Sequence, residues 1–384
     1  MNLQTSTQTD IKQANQQAIL HLLLESGPMS RADLAKKLNA SKPTISKNVD
    51  DLISSGKLLE TGKDQNRVGK KGILLDINTG YAGFLALDLS KDTFRAVIAD
   101  VRENFLAELN IPLESSDDNT LLTPEGIKCK LAAFLDARSS LTRLIRSLII
   151  SYPGVIGHND TMYLTNRKYK ESILHEILPY LKETYHLEPY IKNDINLGVL
   201  AEMKYDHFQQ EINLILLSAD MGVGAGILLN GRLYEGDRNA AGEVGFLLPS
   251  QSDGSPYRTL EEKVSLNAVL ERFQALSKEK VSYSGFLTAL EGNQADALSI
   301  YHSVLQDLCV SIVSIASILD IRTVVVSGRL FDMKQGMIEE LNAMIQTMTP
   351  FETKLYRSLV HHLSIKGAVL LGAQQLLSKM ADLG

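Results

Sequence analysis

"INLILLSADMGVGAGILLNGRLYEGDRNAAGEVGF", residues 212–246, reads as an apolar strand, a glycine-rich turn and a second strand, with an Asn-Gly turn at "LNGR". Upstream lies "IKNDINLGVLAE", residues 191–202, where a beta-type run, "EPYIKN", meets a helix-like run, "INLGVLAE". An aspartate at a strand-to-helix junction is notable, because α/β proteins open a crevice at the carboxyl ends of their strands. The residues alone leave three roles open for Asp194: a general base, a ligand contact, or a cap of the following helix.

The same pattern extends in both directions. "YAGFLALDLSKDTFRAVIAD" (81–100) reads as two strands around a turn, with Phe84–Leu89 the first. "SLIISYPGVIG" (147–157) gives a buried strand, Leu148–Tyr152, that ends in Pro153-Gly154, and "RTVVVSGRL" (322–330) gives another that ends in glycine. Helical patterns separate these blocks, notably "YHSVLQDLCVSIVSIASILD" (301–320) and "GAVLLGAQQLLSKM" (367–380). Hairpins mixed with crossover helices predict two α/β lobes with a cleft between them. No solenoid repeat is present.

The first 78 residues follow different rules. "IKQANQQAILHLLLESG" (11–27) has apolar residues at Ile11, Ala14, Ala18, Ile19, Leu22 and Leu23, a helical spacing that Gly27 stops. In "MSRADLAKKLNA" (29–40), Ser30 and Asp33 make a capping-box-like start. In "SKPTISKNVDDLISSG" (41–56), Ser41 can cap, Pro43 fits the first turn, and Ile45, Val49, Leu52 and Ile53 face inward. The short link Asn39-Ala40-Ser41 is a helix-turn-helix signature. The third helix then presents Ser41, Lys42, Thr44, Ser46, Lys47 and Asn48, as a recognition helix does. "KLLETGKDQNRVGKKGILLDI" (57–77) follows as strand, turn and strand, with Arg67, Lys70 and Lys71 at a glycine-bearing tip suited to phosphates. The expectation is a winged helix-turn-helix that binds double-stranded DNA. A trihelical bundle with a merely solvated polar face is the plainer alternative.

Composition sets bounds but decides little. Residues 1–80 hold 11 Lys+Arg against 8 Asp+Glu, and the rest of the chain holds 28 against 37. A slightly basic head on an acidic body fits a head that alone meets a polyanion. Cys129 and Cys309 stand far apart, which argues for a reducing cytosol and against a disulfide or cysteine-rich zinc framework. No apolar run is read as reaching the length of a membrane span, and the polar start has no signal-peptide core, so a cytoplasmic protein is expected.

The order of "LALDLSKDT", "SYPGVIG", "KNDINLGVLAE", "SADMGVGAGILLNGRLYEGDRNAAGEVGF", "TLEEKVS" and "VVVSGRL" resembles the ROK family of sugar kinases and sugar-responsive repressors. With its head, the chain is most similar to the repressor branch that includes the xylose repressors. The resemblance covers nearly the whole chain. It implies an actin-like ATPase (ribonuclease H-like) fold whose cleft takes a sugar and, in kinases, ATP. The implied parts are residues 1–78 as the winged head, 79–193 with about 366–384 as the first lobe, and 194–365 as the second lobe with dimerisation helices. By resemblance, Asn193 and Asp194 touch sugar hydroxyls, and in kinases that Asp is the base for phosphoryl transfer. Glu243 of Ala241-Gly242-Glu243-Val244-Gly245 and Glu261 of "TLEEKVS" are further sugar contacts, and Gly154 belongs to the turn beside the sugar. Glu262, adjacent to Glu261, is the alternative at that position.

The sequence departs from the kinase pattern in two places. Kinases of the family open with a glycine-bearing phosphate hairpin, whereas here Asp88-Leu89-Ser90-Lys91-Asp92-Thr93 has no glycine to admit phosphate to the backbone. The second phosphate loop, Gly222-Val223-Gly224-Ala225-Gly226, keeps its glycines. The family's zinc-binding His and cysteines are also missing: Phe246 holds the His position and Thr259 the last Cys, so no metal is expected. The expectation is therefore a non-enzymatic, homodimeric (or dimer-of-dimers) repressor without cofactors, released from its operator by a small sugar. A sugar kinase with an appended head, and a constitutive DNA-binding module, are the rival readings.

Overall fold

The computed structural model describes residues 8–63, 72–90, 92–114, 122–157, 162–163, 168–249, 257–278 and 280–382. The head opens with helix α1 (Gln8–Ser26), a short strand β1 (Met29–Ser30), and helices α2 (Arg31–Lys37) and α3 (Lys42–Ser54). Local chemistry sets these ends. Ser30 Oγ accepts the Asp33 N–H at 3.3 Å to cap α2, and Ser41 Oγ accepts the Thr44 N–H at 3.2 Å to cap α3. Asn39, at φ 50°, turns the chain between them. The buried seam of α1 is Gln16, Ile19, Leu20 and Leu23. This corrects the expected stripe: Ile11 is 54% exposed, and Leu20 replaces Leu22, because i, i+3, i+4, i+7 spacing runs from Gln16.

Strands β2 (Leu58–Lys63) and β3 (Ile73–Ile77) form the base of the wing, antiparallel with a bulge between Glu60 and Gly62. β3 also pairs with β1, Met29 opposite Leu75 and Ser30 opposite Leu74, a third strand not foreseen from the sequence. The wing tip with Arg67, Lys70 and Lys71 lies outside the described residues.

The body builds one sheet topology twice. Strands β4 (Gly83–Asp88), β5 (Thr93–Asp100) and β6 (Phe105–Pro112) run antiparallel in turn. Helices α4 (Pro124–Asp136) and α5 (Ser139–Thr142) lead to β7 (Ile145–Tyr152), which is parallel to β4. A small hairpin, β8 (Val155–Ile156) with β9 (Met162–Tyr163), and helix α6 (Lys168–Tyr185) precede β10 (Pro189–Asn193), giving the order β10-β7-β4-β5-β6. Helix α7 (Asp194–Tyr205) begins the repeat. β11 (Leu214–Ala219), β12 (Val223–Leu229) and β13 (Arg232–Leu233) are antiparallel. Helices α8 (Leu260–Val264), α9 (Leu266–Ser277), α10 (Tyr283–Glu291) and α11 (Ala295–Leu319) follow. β14 (Thr323–Ser327), α12 (Met337–Met348), β15 (Lys354–Arg357) and α13 (Leu363–Asp382) complete the chain. β14 is parallel to β11 and β15 to β14, in the order β13-β12-β11-β14-β15. In each sheet the first strand and the two that follow it form an antiparallel trio, and two crossover strands extend the sheet on the first strand's other side. This duplicated arrangement is the actin-like ATPase fold.

By contact density the chain forms two units. One holds residues 1–151, 167–191 and 368–384, and so includes the head and the first sheet; the other holds 152–166 and 192–367. In the first, α13 lies flush on β4: a Cβ on Gly372 would come within 2.4 Å of the Phe84 ring. The second is packed around α11, whose Tyr301, Leu308 and Ile312 are buried with Val326, Phe273 and Phe286. Each such side chain stabilises by about 1.5–3 kcal/mol. α11 has 25 residues with a mean hydropathy of 1.6 in its most apolar window, enough by length and composition to cross a membrane. That corrects the expectation that no segment reaches such length. Its apolarity has a local cause, since one face fills the core of its own unit.

Candidate functional site

The five predicted ligand residues, Gly154, Asn193, Asp194, Glu243 and Glu261, all fall in the second unit. The starting point is the β10–α7 junction. Asn193, extended at φ −60° and ψ 137°, caps α7: its Oδ1 accepts the N–H groups of Ile195 and Asn196 at 2.9 and 3.0 Å. Its Nδ2 donates to the Gly154 carbonyl at 3.2 Å, which ties the Pro-Gly turn after β7 to the helix start. The cap is therefore Asn193 and not Asp194. Asp194 is the first helical residue, half-buried, with Oδ1 accepting the adjacent Ile195 N–H at 3.0 Å. A carboxylate in the first turn of a helix is favoured by the helix dipole, and a carboxylate is a hydrogen-bond acceptor with about four lone-pair sites.

Glycines then bring α7 onto β12. A Cβ on Gly224 would lie 2.6 Å from Ile195 Cδ1, and one on Gly226 would lie 2.6 Å from the Ile195 carbonyl oxygen. These glycines of the "GVGAG" run thus serve helix packing. The Ala-Gly-Glu loop is stitched to the same strand, with the Ala225 N–H donating to the Gly242 carbonyl at 2.7 Å. Gly242 has φ 89°, and a Cβ there would stand 1.9 Å from the Ala225 oxygen, so only glycine fits. Glu243 follows directly, half-buried, ahead of a short 3-10 turn Val244–Phe246.

Glu261 and Glu262 separate by function. Glu262 closes a capping box with Thr259, its carboxylate accepting the Thr259 N–H at 2.8 Å. Glu261 Oε2 accepts the Val223 N–H at 2.8 Å and lies against Gly245, so it faces the carboxyl end of β11. Two further connections were not foreseen. Lys192 pairs with Glu235 at 2.6 Å, and Asn239 Nδ2 donates to the Ile156 carbonyl at 3.0 Å, pinning the loop between β13 and Gly242 beside Gly154. Only a lone Lys in the run "YIKND" could have signalled the first.

The turns at and beside the two phosphate-loop positions of the kinases make contacts within the protein. In the first, Leu89 N–H donates to the Ser151 carbonyl at 3.0 Å, Ser90 N–H to Asp88 Oδ1 at 2.9 Å, and the Ser90 carbonyl accepts Lys170 Nζ at 3.0 Å. At the second, Arg329 holds Asp220 in a fork, with Nε at 3.0 and 3.1 Å and Nη2 at 2.6 Å. Thr259, at the expected last-Cys position, caps α8, and Phe246 is 56% exposed. A groove of about 510 Å3 opens elsewhere, at the amino ends of β11, β14 and β15 between Glu211, Arg322 and Phe351; it contains none of the predicted residues.

On the head, Lys42 and Lys47 of α3 are exposed and have no carboxylate partner among the described residues. Ser41 Oγ and Thr44 Oγ1 sit 2.7 Å apart at the helix start, and Ser46 is half-buried, its carbonyl accepting from Arg31. Asn48 is buried and donates to the Thr44 carbonyl at 2.9 Å, so it belongs to the packing and not to the reading face.

The ROK family signature matches residues 84–380, and a winged helix-turn-helix DNA-binding signature matches residues 13–58. The chain belongs to the ROK family. It is 24% identical over 297 residues to the xylose repressor of Bacillus subtilis (strain 168), covering 76% of each protein. It is 23% identical over 389 aligned residues to the DNA-binding transcriptional dual regulator NagC of Escherichia coli (strain K12), covering 96% of this chain and 94% of that protein. A solved ROK family transcriptional regulator, a homologue of the E. coli MLC protein, superposes with a TM-score of 0.74 at 21% identity over 97% of this chain and 98% of its own. The ROK hexokinase of Thermus thermophilus superposes with a TM-score of 0.62 at 19% identity, covering 77% of this ROK chain and 99% of its own.

Proposed function

We propose that this ROK protein is a cytoplasmic, sugar-responsive transcriptional repressor of carbohydrate-utilisation genes. The observation that carries the reading is the union, in one chain, of a winged head with exposed Lys42 and Lys47 and a ROK body with an acceptor-rich strand-end site. Asn193, Asp194, Glu243 and Glu261, with Gly154 beside them, bind the sugar. Carboxylates suit a polyol because charge-assisted hydrogen bonds are shorter and stronger than neutral ones. The relatives named xylose repressor make xylose the first effector to try, and N-acetylglucosamine, from the relatives named for it, the second. The protein acts as a homodimer whose paired heads read a palindromic operator. Ser41, Lys42, Thr44, Ser46, Lys47 and the wing residues Arg67, Lys70 and Lys71 contact DNA. A sugar releases the operator by its differential affinity for two states, and about 2 kcal/mol of coupling weakens binding roughly 30-fold.

The kinase reading is disfavoured by the occupied first turn. The backbone N–H groups of Leu89 and Ser90 are already spent on Ser151 and Asp88. The deciding experiment is fluorescence anisotropy on DNA from the protein's own upstream region, with and without xylose or N-acetylglucosamine. Release by one sugar supports the reading. DNA affinity indifferent to every sugar, or ATP-dependent phosphorylation of a sugar abolished by Asp194→Asn, sinks it.

A further inference from the structure

The β5–β6 turn, Asp100 to Asn104, is built around a single buried carboxylate. Asp100 is 3% exposed. Its Oδ1 accepts the Arg102 and Asn104 N–H groups at 2.8 and 3.1 Å, and its Oδ2 accepts Asn104 Nδ2 at 3.0 Å. Glu103 completes the turn at φ 65°. Such a turn leaves Arg102 little freedom at its base, and its guanidinium crosses to the head. Nη2 donates to the Leu23 carbonyl at 3.3 Å, in the last turn of α1, and forms an ion pair with Asp76 of β3.

The two partners belong to different parts of the head. Leu23 lies in the last turn of α1, where a cation is favoured by the helix dipole, and its carbonyl also accepts the Gly27 N–H at 3.1 Å. Asp76 lies at the base of the wing, in the strand that pairs with both β2 and β1, and β1 ends in the Ser30 that caps α2. One side chain from the first lobe therefore grips helix and wing together. Both charges are largely removed from water, with side-chain exposures of 26% and 21%, so the pair is less screened than a surface ion pair. A second contact, Gln17 Nε2 to Ser378 Oγ at 3.4 Å, is longer and uncharged.

We propose that Arg102 is a positioning residue: it fixes the orientation of the DNA-binding head on the first lobe, so that paired heads meet a full operator without first being ordered. The inference rests on the repressor reading and deepens it. Arg102 itself touches no DNA. Its loss leaves the affinity of one head for a half-site intact and removes the advantage of binding two half-sites at once.

The test uses full-length protein, a duplex carrying the site footprinted upstream of its own gene, and a duplex with one half-site. Arg102→Met is expected to keep half-site affinity within about twofold and to lose about tenfold on the full site. Asp76→Asn should do the same, and the double variant should be no worse than either single one, as for two groups of one contact. Unchanged half-site binding also reports that the head is folded. A full-to-half-site ratio equal to the wild type in Arg102→Met, or losses that simply add in the double variant, overturns the inference alone. Wild-type protein that binds neither duplex overturns the repressor reading and this inference with it.

Discussion

The Asn193 carboxamide joins two chain segments at once, donating to the Gly154 carbonyl at 3.2 Å and accepting from the Ile195 and Asn196 N–H groups. Asn193→Ala removes the cap and should destabilise the protein by about 1–2 kcal/mol in urea unfolding. Asn193→Asp keeps the cap but loses the donor to Gly154. It should recover most of the stability while the sugar response stays weak. Equal stability of the Ala variant and the wild type would remove Asn193 from this role.

Asp194 has a different sensitivity. Because Asn193 carries the cap, Asp194→Asn should leave the melting temperature in the absence of sugar almost unchanged. The loss of charged acceptors should weaken sugar binding by at least about tenfold, read as a shift in the sugar concentration that releases DNA. A variant that melts early but senses sugar normally would assign Asp194 to the fold instead.

Two glycines that share a positive φ should differ sharply. Gly242 at φ 89° has the Ala225 oxygen 1.9 Å from its missing Cβ, whereas Gly231 at φ 71° faces open space. Gly231→Ala should cost about 1–2 kcal/mol, the strain of a left-handed alanine. Gly242→Ala adds a backbone collision, displaces Glu243, and should both cost more and abolish the sugar response. Similar melting temperatures for the two variants would count against the close packing of the Ala-Gly-Glu loop on β12.

Glu202, near the end of α7, gives the second unit a pH dependence. Burial pushes its carboxyl up to about 7, Ser358 opposes the shift by hydrogen bonding, and the nearby Asp206 carboxylate adds to it. The folded state thus holds a proton that the unfolded chain releases above its ordinary value of 4.5. The associated stability is fully present below about pH 4.5 and is lost as pH rises through 7, on the order of 3 kcal/mol by pH 8. Glu202→Gln, which keeps a donor toward Asp206, should flatten this slope in urea titrations at pH 5.5 and 8. An unchanged slope would place the titration elsewhere.

Much of this architecture is legible in the sequence because its signals are local. Ser30, Ser41 and Thr259 each sit where a cap is needed, and Asn230-Gly231 turns β12 into β13 as an Asn-Gly pair should. The strand-end location of Asn193 and Asp194 was readable for the same reason. Other features depend on contacts distant in sequence. Leu20 and Leu22 are both apolar, and only the packing of α1 decides which is buried. The spacing from Thr259 marks Glu262 for the capping box, but only the folded chain brings the Val223 N–H to Glu261. Asp220 and Arg329 stand 109 residues apart, and nothing in either neighbourhood announces the fork. Arg102 sits in an ordinary-looking turn, and its partners at Leu23 and Asp76 become visible only when the head is docked.

The contact of α13 with Phe84 also orders events during synthesis. Residues from 368 onward belong to the same unit as the head and β4, yet they are synthesised long after both. The winged head can fold early from its own local contacts, but the lobe that receives it waits for α13. A nascent or carboxyl-truncated chain therefore presents a DNA-reading module on an unfinished platform. Frameshifts late in the gene should yield proteins that still touch DNA but no longer answer to metabolism.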